Sequence, residues 1–162
     1  MSHHHLRASS KTCHWGFFEA KLKPVLIIAS GDEVTIDTIS GSPDVLPDPV
    51  KFFIPPEMKE VHANNERMLP GHILTGPIAI DGAELGDVLE IDILDIQLRQ
   101  DWGWNLIRPL SGTLPDDFHE TRLLNIPLDR KRMVGQLPWG LDLPLAPFFG
   151  VMGVSPPPAW GR

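Results

Sequence analysis

Two histidines stand beside structural punctuation: His14 inside Thr12-Cys-His-Trp-Gly16, and His72 inside Pro70-Gly-His-Ile-Leu-Thr-Gly-Pro77. An imidazole titrates near neutral pH, so either ring has the chemistry to move a proton or bind a metal, and either can equally close a loop through a hydrogen bond. Neither spacing is a recognised metal signature. Asp32 after Gly31 and Asp87 after Gly86 are of a type that serves as ligand or general base. In a tight turn, however, Asp commonly bonds its own backbone. Cys13 is the single cysteine, so neither an intrachain disulfide nor a multi-cysteine zinc cluster can form. Trp15, Trp102 and Trp104 offer walls for a small uncharged substrate, or core pieces whose indole N–H needs an acceptor. The terminal run His3-His4-His5 is expected to be exposed and is given no role.

Several chemistries are excluded by what the chain lacks. There is no Gly-rich phosphate loop followed by Lys-Ser/Thr, no G-x-S-x-G elbow and no H-E-x-x-H. Net charge is −7, and the basic residues are scattered apart from Arg130-Lys131-Arg132, so the footprint of a nucleic-acid binder is missing. That triplet reads as a solvated loop. No apolar run approaches the roughly 20 residues of a membrane span. Met1-Ser-His-His-His-Leu-Arg7 lacks the basic and apolar regions of a secretory signal, which makes the cytoplasm the expected compartment.

The elements that must position these residues are short. Seventeen prolines and fourteen glycines leave little room for helix, since Pro costs about 3 kcal/mol and Gly about 1 kcal/mol in a helix interior. Glu33 to Thr38 alternates, with Val34, Ile36 and Thr38 on one face, as a half-buried strand does. Val25–Ile28 is apolar, and Ser30-Gly-Asp32 supplies turn chemistry, so a hairpin across Gly31-Asp32 is expected. The same unit recurs at Gly86-Asp87, followed by Val-Leu-Glu-Ile-Asp-Ile-Leu-Asp-Ile96. Its apolar parity switches from Leu89, Ile91 and Ile93 to Leu94, Ile96 and Leu98, which predicts a strand with a bulge near Ile93. Gly41 to Gly71 reads as a long Pro-rich surface loop, with a turn or two of helix between Pro56 and Met68, and long loops of this kind tend to border a site. Beyond Ile96 the chain reads as aromatic and loop-like, ending in a Pro-rich tail without a closing element. A single domain, residues 1–162, mainly β with long Pro/Gly-rich loops and little helix, is the expected fold.

The strings Cys13-His-Trp-Gly-Phe-Phe18, Ser30-Gly-Asp32, Gly71-His-Ile-Leu-Thr-Gly-Pro77, Gly82-Ala-Glu-Leu-Gly-Asp-Val88, Asp101-Trp-Gly103 and Pro147-Phe-Phe-Gly-Val-Met-Gly-Val154 together resemble the amino-terminal half of the acetamidase/formamidase family. They occur in family order from about Thr12 to Pro158. The resemblance implies a β-sandwich-like architecture, oligomeric assembly, and hydrolysis of formamide or acetamide to ammonia and carboxylate. Family members are longer, with a Gly-Gly-Asn-Asp string in a second half. The chain is therefore expected to be truncated at its carboxyl end, with a homo-oligomer or a missing half as partner.

Amide hydrolysis needs an activated nucleophile, stabilisation of the oxyanion and a proton donor, and a bound divalent metal can supply the first two. The resemblance implies His14, Asp32 and His72 as catalytic residues and as ligands of a divalent metal, zinc being the expected ion, with water as nucleophile. Under it Asn65 or Thr75 orients the substrate amide, and Trp102 is the expected aromatic wall of the substrate site. Two alternatives stand beside this: a metal-free amidase with Cys13 as nucleophile, and a catalytically incomplete fragment or paralogue that serves assembly.

Overall fold

A computed structural model describes residues 1–160. The chain forms two compact units, the first from Met1–Gly41, Pro56–Leu94 and the described part of Phe149–Arg162, the second from Ser42–Pro55 and Asp95–Phe148. Both are mainly β. Among the described residues, the helical elements are the helix α1 (Pro56–Asn64) and a 3-10 turn at Pro43–Val45.

Among the described residues of the first unit, six short strands pair two by two. Strand β1 (His3–Leu6) runs parallel to β4 (Glu33–Ile36), and β2 (Cys13–Trp15) runs antiparallel to β5 (Ile73–Thr75). Strand β3 (Leu26–Ile28) runs parallel to β6 (Ile78–Ile80). The expected hairpin across Gly31-Asp32 is therefore corrected. Asp32 N–H does close a tight turn onto the Ala29 carbonyl at 3.2 Å, but the flanking strands separate and take different partners. Composition accounts for the choice. Apolar β3 meets apolar β6, whereas β4, with a polar residue at every second position, takes the His3-His4-His5 strand, whose rings can bond to it. The His run is thus an ordered strand rather than a loose tail. His3 Nε2 lies 2.9 Å from Thr35 Oγ1, and His5 Nε2 lies 3.0 Å from Asp37 Oδ1.

Helix α1 opens on Pro56, whose missing N–H costs nothing at a helix start, and carries Glu57 in its first turn. Met58 and Val61, three residues apart, share one face and are 1% and 0% exposed. With Leu6, Cys13, Trp15, Ile39 and Ile73 they make the core of this unit.

The second unit corrects one expectation. From Trp102 to Pro144 the chain forms a four-stranded antiparallel sheet of order β10-β9-β8-β7, not a loop-like stretch, while no strand follows Pro144 among the described residues. Its strands are β7 (Trp102–Ile107), β8 (Arg122–Asp129), β9 (Val134–Gln136) and β10 (Asp142–Pro144). Prolines hide this sheet in the sequence. Pro127 sits opposite Trp102 where β8 leaves β7 and joins β9, and Pro144 lies on the edge strand, both places where a missing donor is tolerated. Trp102 and Trp104, two residues apart on β7, share one face of the strand, with Trp102 1% exposed and Trp104 38%. Arg130, Lys131 and Arg132 form the exposed turn between β8 and β9, as expected of the basic triplet.

The expected strand after Gly86-Asp87, with its bulge near Ile93, does not form. Every residue from 81 to 95 is exposed, and Val88–Leu94 joins no ladder among the described residues. Alternation supplies a strand with a face to bury, but a ladder needs a neighbour.

Candidate functional site

The ladder β2–β5 positions most of the chemistry. Its register sets Cys13 against Thr75, His14 against Leu74 and Trp15 against Ile73, and Gly16 N–H extends it by donating to the His72 carbonyl at 3.0 Å. Strand alternation sends Cys13 and Trp15 to one face and His14 to the other. The first face is core: Cys13 and Trp15 are buried, and the Trp15 ring stacks on His62 of α1 at 5.7 Å while Arg67 lies over it at 5.6 Å. Trp15 Nε1–H donates to the Gly71 carbonyl, 3.2 Å away. Gly16 holds φ at +101°, and a Cβ there would lie 2.3 Å from the Leu69 carbonyl oxygen, so only glycine lets the two segments approach this closely.

Beside the other face lies an open pocket of about 270 Å³. Phe17, Phe18 and Leu74 wall it from the ladder side, Val151 and Trp160 from the returning carboxyl segment, and His72 stands at its rim. That segment is tied down by a hydrogen bond from Ala20 N–H to the Pro156 carbonyl at 3.0 Å, and Gly153 packs close to the Phe18 ring. The His72 side chain is exposed and makes no hydrogen bond among the described residues, so its ring nitrogens are available to a ligand.

The His14 ring meets Phe17, one of the pocket walls, in a tilted contact at 5.4 Å, and its Nε2–H donates to the Phe17 carbonyl at 3.0 Å. Burial pulls its pKa below 6.5, and the carbonyls of Phe17 and Gly76 pull the other way. The net lowering keeps the ring neutral at pH 7. It pins the loop after β2.

Asp32 is committed elsewhere. Its carboxylate accepts Ser2 N–H at 2.6 Å, His4 Nε2–H at 3.1 Å and Ala29 N–H at 3.1 Å. Those bonds, the Ser2 N–H foremost, hold its pKa down at about 2. Asp32 thus joins β1 to the turn before β4. Among the described residues, no group of three or more His, Cys, Asp or Glu side chains is placed to hold a metal ion, so His14, Asp32 and His72 do not fit as a ligand set.

The expected substrate contacts are also engaged in structure. Asn65 Nδ2–H donates to the carbonyls of Ser10 (3.0 Å) and Cys13 (2.7 Å), tying the end of α1 to β2. Thr75 Oγ1–H donates to the Asp37 carbonyl at 2.8 Å and lies 3.5 Å from Cys13 Sγ. Trp102 is buried in the second unit, where its indole N–H donates to the Phe53 carbonyl at 2.8 Å. Of the six residues expected to act, His72 alone lines the pocket, with His14 one contact away through Phe17. The pocket walls Phe17, Phe18, Leu74, Val151 and Trp160 were missed as site residues. Phe17, Phe18, Leu74 and Val151 carry a sequence signal through their place inside the strings of the family resemblance, whereas Trp160 lies beyond the last of those strings.

Comparison with known proteins agrees with that resemblance. Residues 6–160 match the model of the Acetamidase/Formamidase family. A formamidase from Methylophilus methylotrophus is 43% identical over 54 residues, which is 30% of this chain and 13% of that protein. The crystal structure of a recombinant predicted acetamidase/formamidase from the thermophile Thermoanaerobacter tengcongensis superposes with a TM-score of 0.71 at 22% identity. That superposition covers 96% of this chain and 47% of the other, so the chain spans less than half of the relative whose fold it shares.

Proposed function

The chain belongs to the acetamidase/formamidase family, and from that membership we propose that it supplies part of an amide hydrolase that converts formamide or acetamide to ammonia and the carboxylate. The observation that carries the reading is the family match over residues 6–160. The pocket beside β2–β5 is compatible with it: apolar walls suit a short acyl group, and the exposed His72 ring beside them makes no hydrogen bond among the described residues. In this reading His72 takes a proton from water as it attacks the amide carbon and returns one to the leaving nitrogen, so that ammonia departs. His14 acts indirectly, by fixing Phe17. Among the described residues no three ligand side chains converge, so this reading assigns the proton transfers to His72 and water.

A second reading is favoured by a specific observation. Large apolar side chains lie exposed in both units, among them Val88 (93%) and Leu94 (73%) in the first and Leu110 (89%) and Trp139 (66%) in the second. Such surfaces mark interaction sites, and they suit a piece that is catalytically incomplete by itself. Ammonia release from formamide and acetamide by the purified chain separates the two. Release that falls about 100-fold or more in His72→Ala supports the first reading, since a positioned general base contributes 10²–10⁴-fold. A folded chain that releases no ammonia supports the second.

A further inference from the structure

The segment Val88–Leu94 combines three properties that rarely coincide. It alternates apolar and acidic residues from Leu89 to Ile93, it exposes Val88, Leu89, Ile91, Ile93 and Leu94 by 93%, 46%, 52%, 50% and 73%, and it joins no ladder among the described residues. Soluble proteins blunt such stretches or cover them, because unpaired strand backbone flanked by apolar side chains recruits another strand. We infer that Val88–Leu94 is a docking strand whose occupant is a β-strand from the portion of the family fold that this chain does not span, with basic or neutral polar residues alternating with apolar ones.

Charge selects that occupant over a second copy of the chain. In the antiparallel register that sets Ile91 against its own copy, Glu90 faces Asp92 and Asp92 faces Glu90. A parallel in-register pair sets each carboxylate beside itself. Like charges directly opposite destabilise a strand pair, and a net charge of −7 opposes self-association further. A partner strand with Lys, Arg or Thr at the alternate positions turns the same carboxylates into attractive pairs. Coverage points to the source of that strand: the solved relative contains nearly all of this chain's fold and more than as much again. The source of the strand rests on the family reading above, whereas the pairing does not.

The test reads pairing and not ammonia release, so its failure leaves the proposed activity standing. The wild-type chain is expected to run as an 18.0 kDa monomer in light scattering, with fast amide exchange across Val88–Leu94. Adding the synthetic peptide Lys-Val-Thr-Val-Lys-Val-Thr should slow those amides by about tenfold or more, while the counterpart with Glu for Lys should not. Glu90→Lys sets the introduced lysine against Asp92 of a second copy, twice per pair. That variant should dimerise with the same amides protected, and Ile91→Pro added to it should restore the monomer. Because position 90 is exposed, circular dichroism should show an unchanged fold. A wild-type homodimer with Val88–Leu94 protected overturns the choice of occupant. A Glu90→Lys chain that stays monomeric, or a wild type whose segment is slow to exchange by itself, overturns the docking strand.

Discussion

The first unit carries one turn-and-strand pattern twice, Gly31-Asp32 followed by Glu33–Ile36 and Gly86-Asp87 followed by Val88–Leu94. Both glycines hold positive φ, +83° and +105°, and both aspartates bond their own turns. There the likeness stops. Asp32 also accepts from Ser2 and His4 of the opposite segment, and its strand pairs with β1 over four register positions. Asp87 accepts only Glu84 N–H among the described residues, and the strand that should follow has no neighbour. The turn is local chemistry and forms in both copies. The ladder is a tertiary event and forms only where a second segment arrives with groups to share.

Substitutions at equivalent residue types in partnered and unpartnered parts of the unit should therefore differ sharply. The largest contrast is between glycines. Gly16→Ala meets the Leu69 backbone and a left-handed φ together, and is expected to cost about 4 kcal/mol, whereas Gly86→Ala meets open space and should cost only the strain of about 1 kcal/mol. Urea titration of both variants checks this. Next, Ile73→Ala on β5, where the side chain is 7% exposed, should cost about 3 kcal/mol, and Ile91→Ala, 52% exposed, less than about 0.5 kcal/mol. Equal losses would mean that the second copy is packed after all.

The smallest effect is in acid. Asp32 titrates at about 2 in the fold against 3.8 when unstructured. The stability it lends is thus complete above about pH 4 and is lost as the pH falls through about 2. Acid unfolding followed by fluorescence should show a step in that window for the wild type, and Asp32→Asn should remove the step and lower stability at pH 7. A wild-type curve flat between pH 4 and pH 2 would contradict the role of the Ser2 and His4 bonds.

What could be read in the sequence follows the same division. Turns, the short helix after Pro56, the scarcity of helix and the basic loop at 130–132 were legible because local residue types set them. Pairing was not, since nothing local says that β3 seeks β6, or that a run of three histidines forms a strand whose rings bond Asp32, Thr35 and Asp37. The β7–β10 sheet was masked by prolines that fall at a strand handover and at a sheet edge. At the candidate site, His72 was legible as an imidazole beside glycine. Asp32, Thr75 and Trp102 were of plausible types, yet each spends its polar atoms on backbone or neighbouring groups, and Asn65 spends its Nδ2 the same way while its Oδ1 stays buried without a partner among the described residues, a use that only coordinates reveal.

Hydrogen exchange on the wild-type chain alone, resolved by peptide mass, is the most direct test of the contrast between the two copies. The amides of Glu33–Ile36 should be protected by their ladder, while those of Val88–Leu94 should exchange at nearly unstructured rates. Comparable protection in both segments would contradict the account, because it would mean that the second copy already has a strand to pair with.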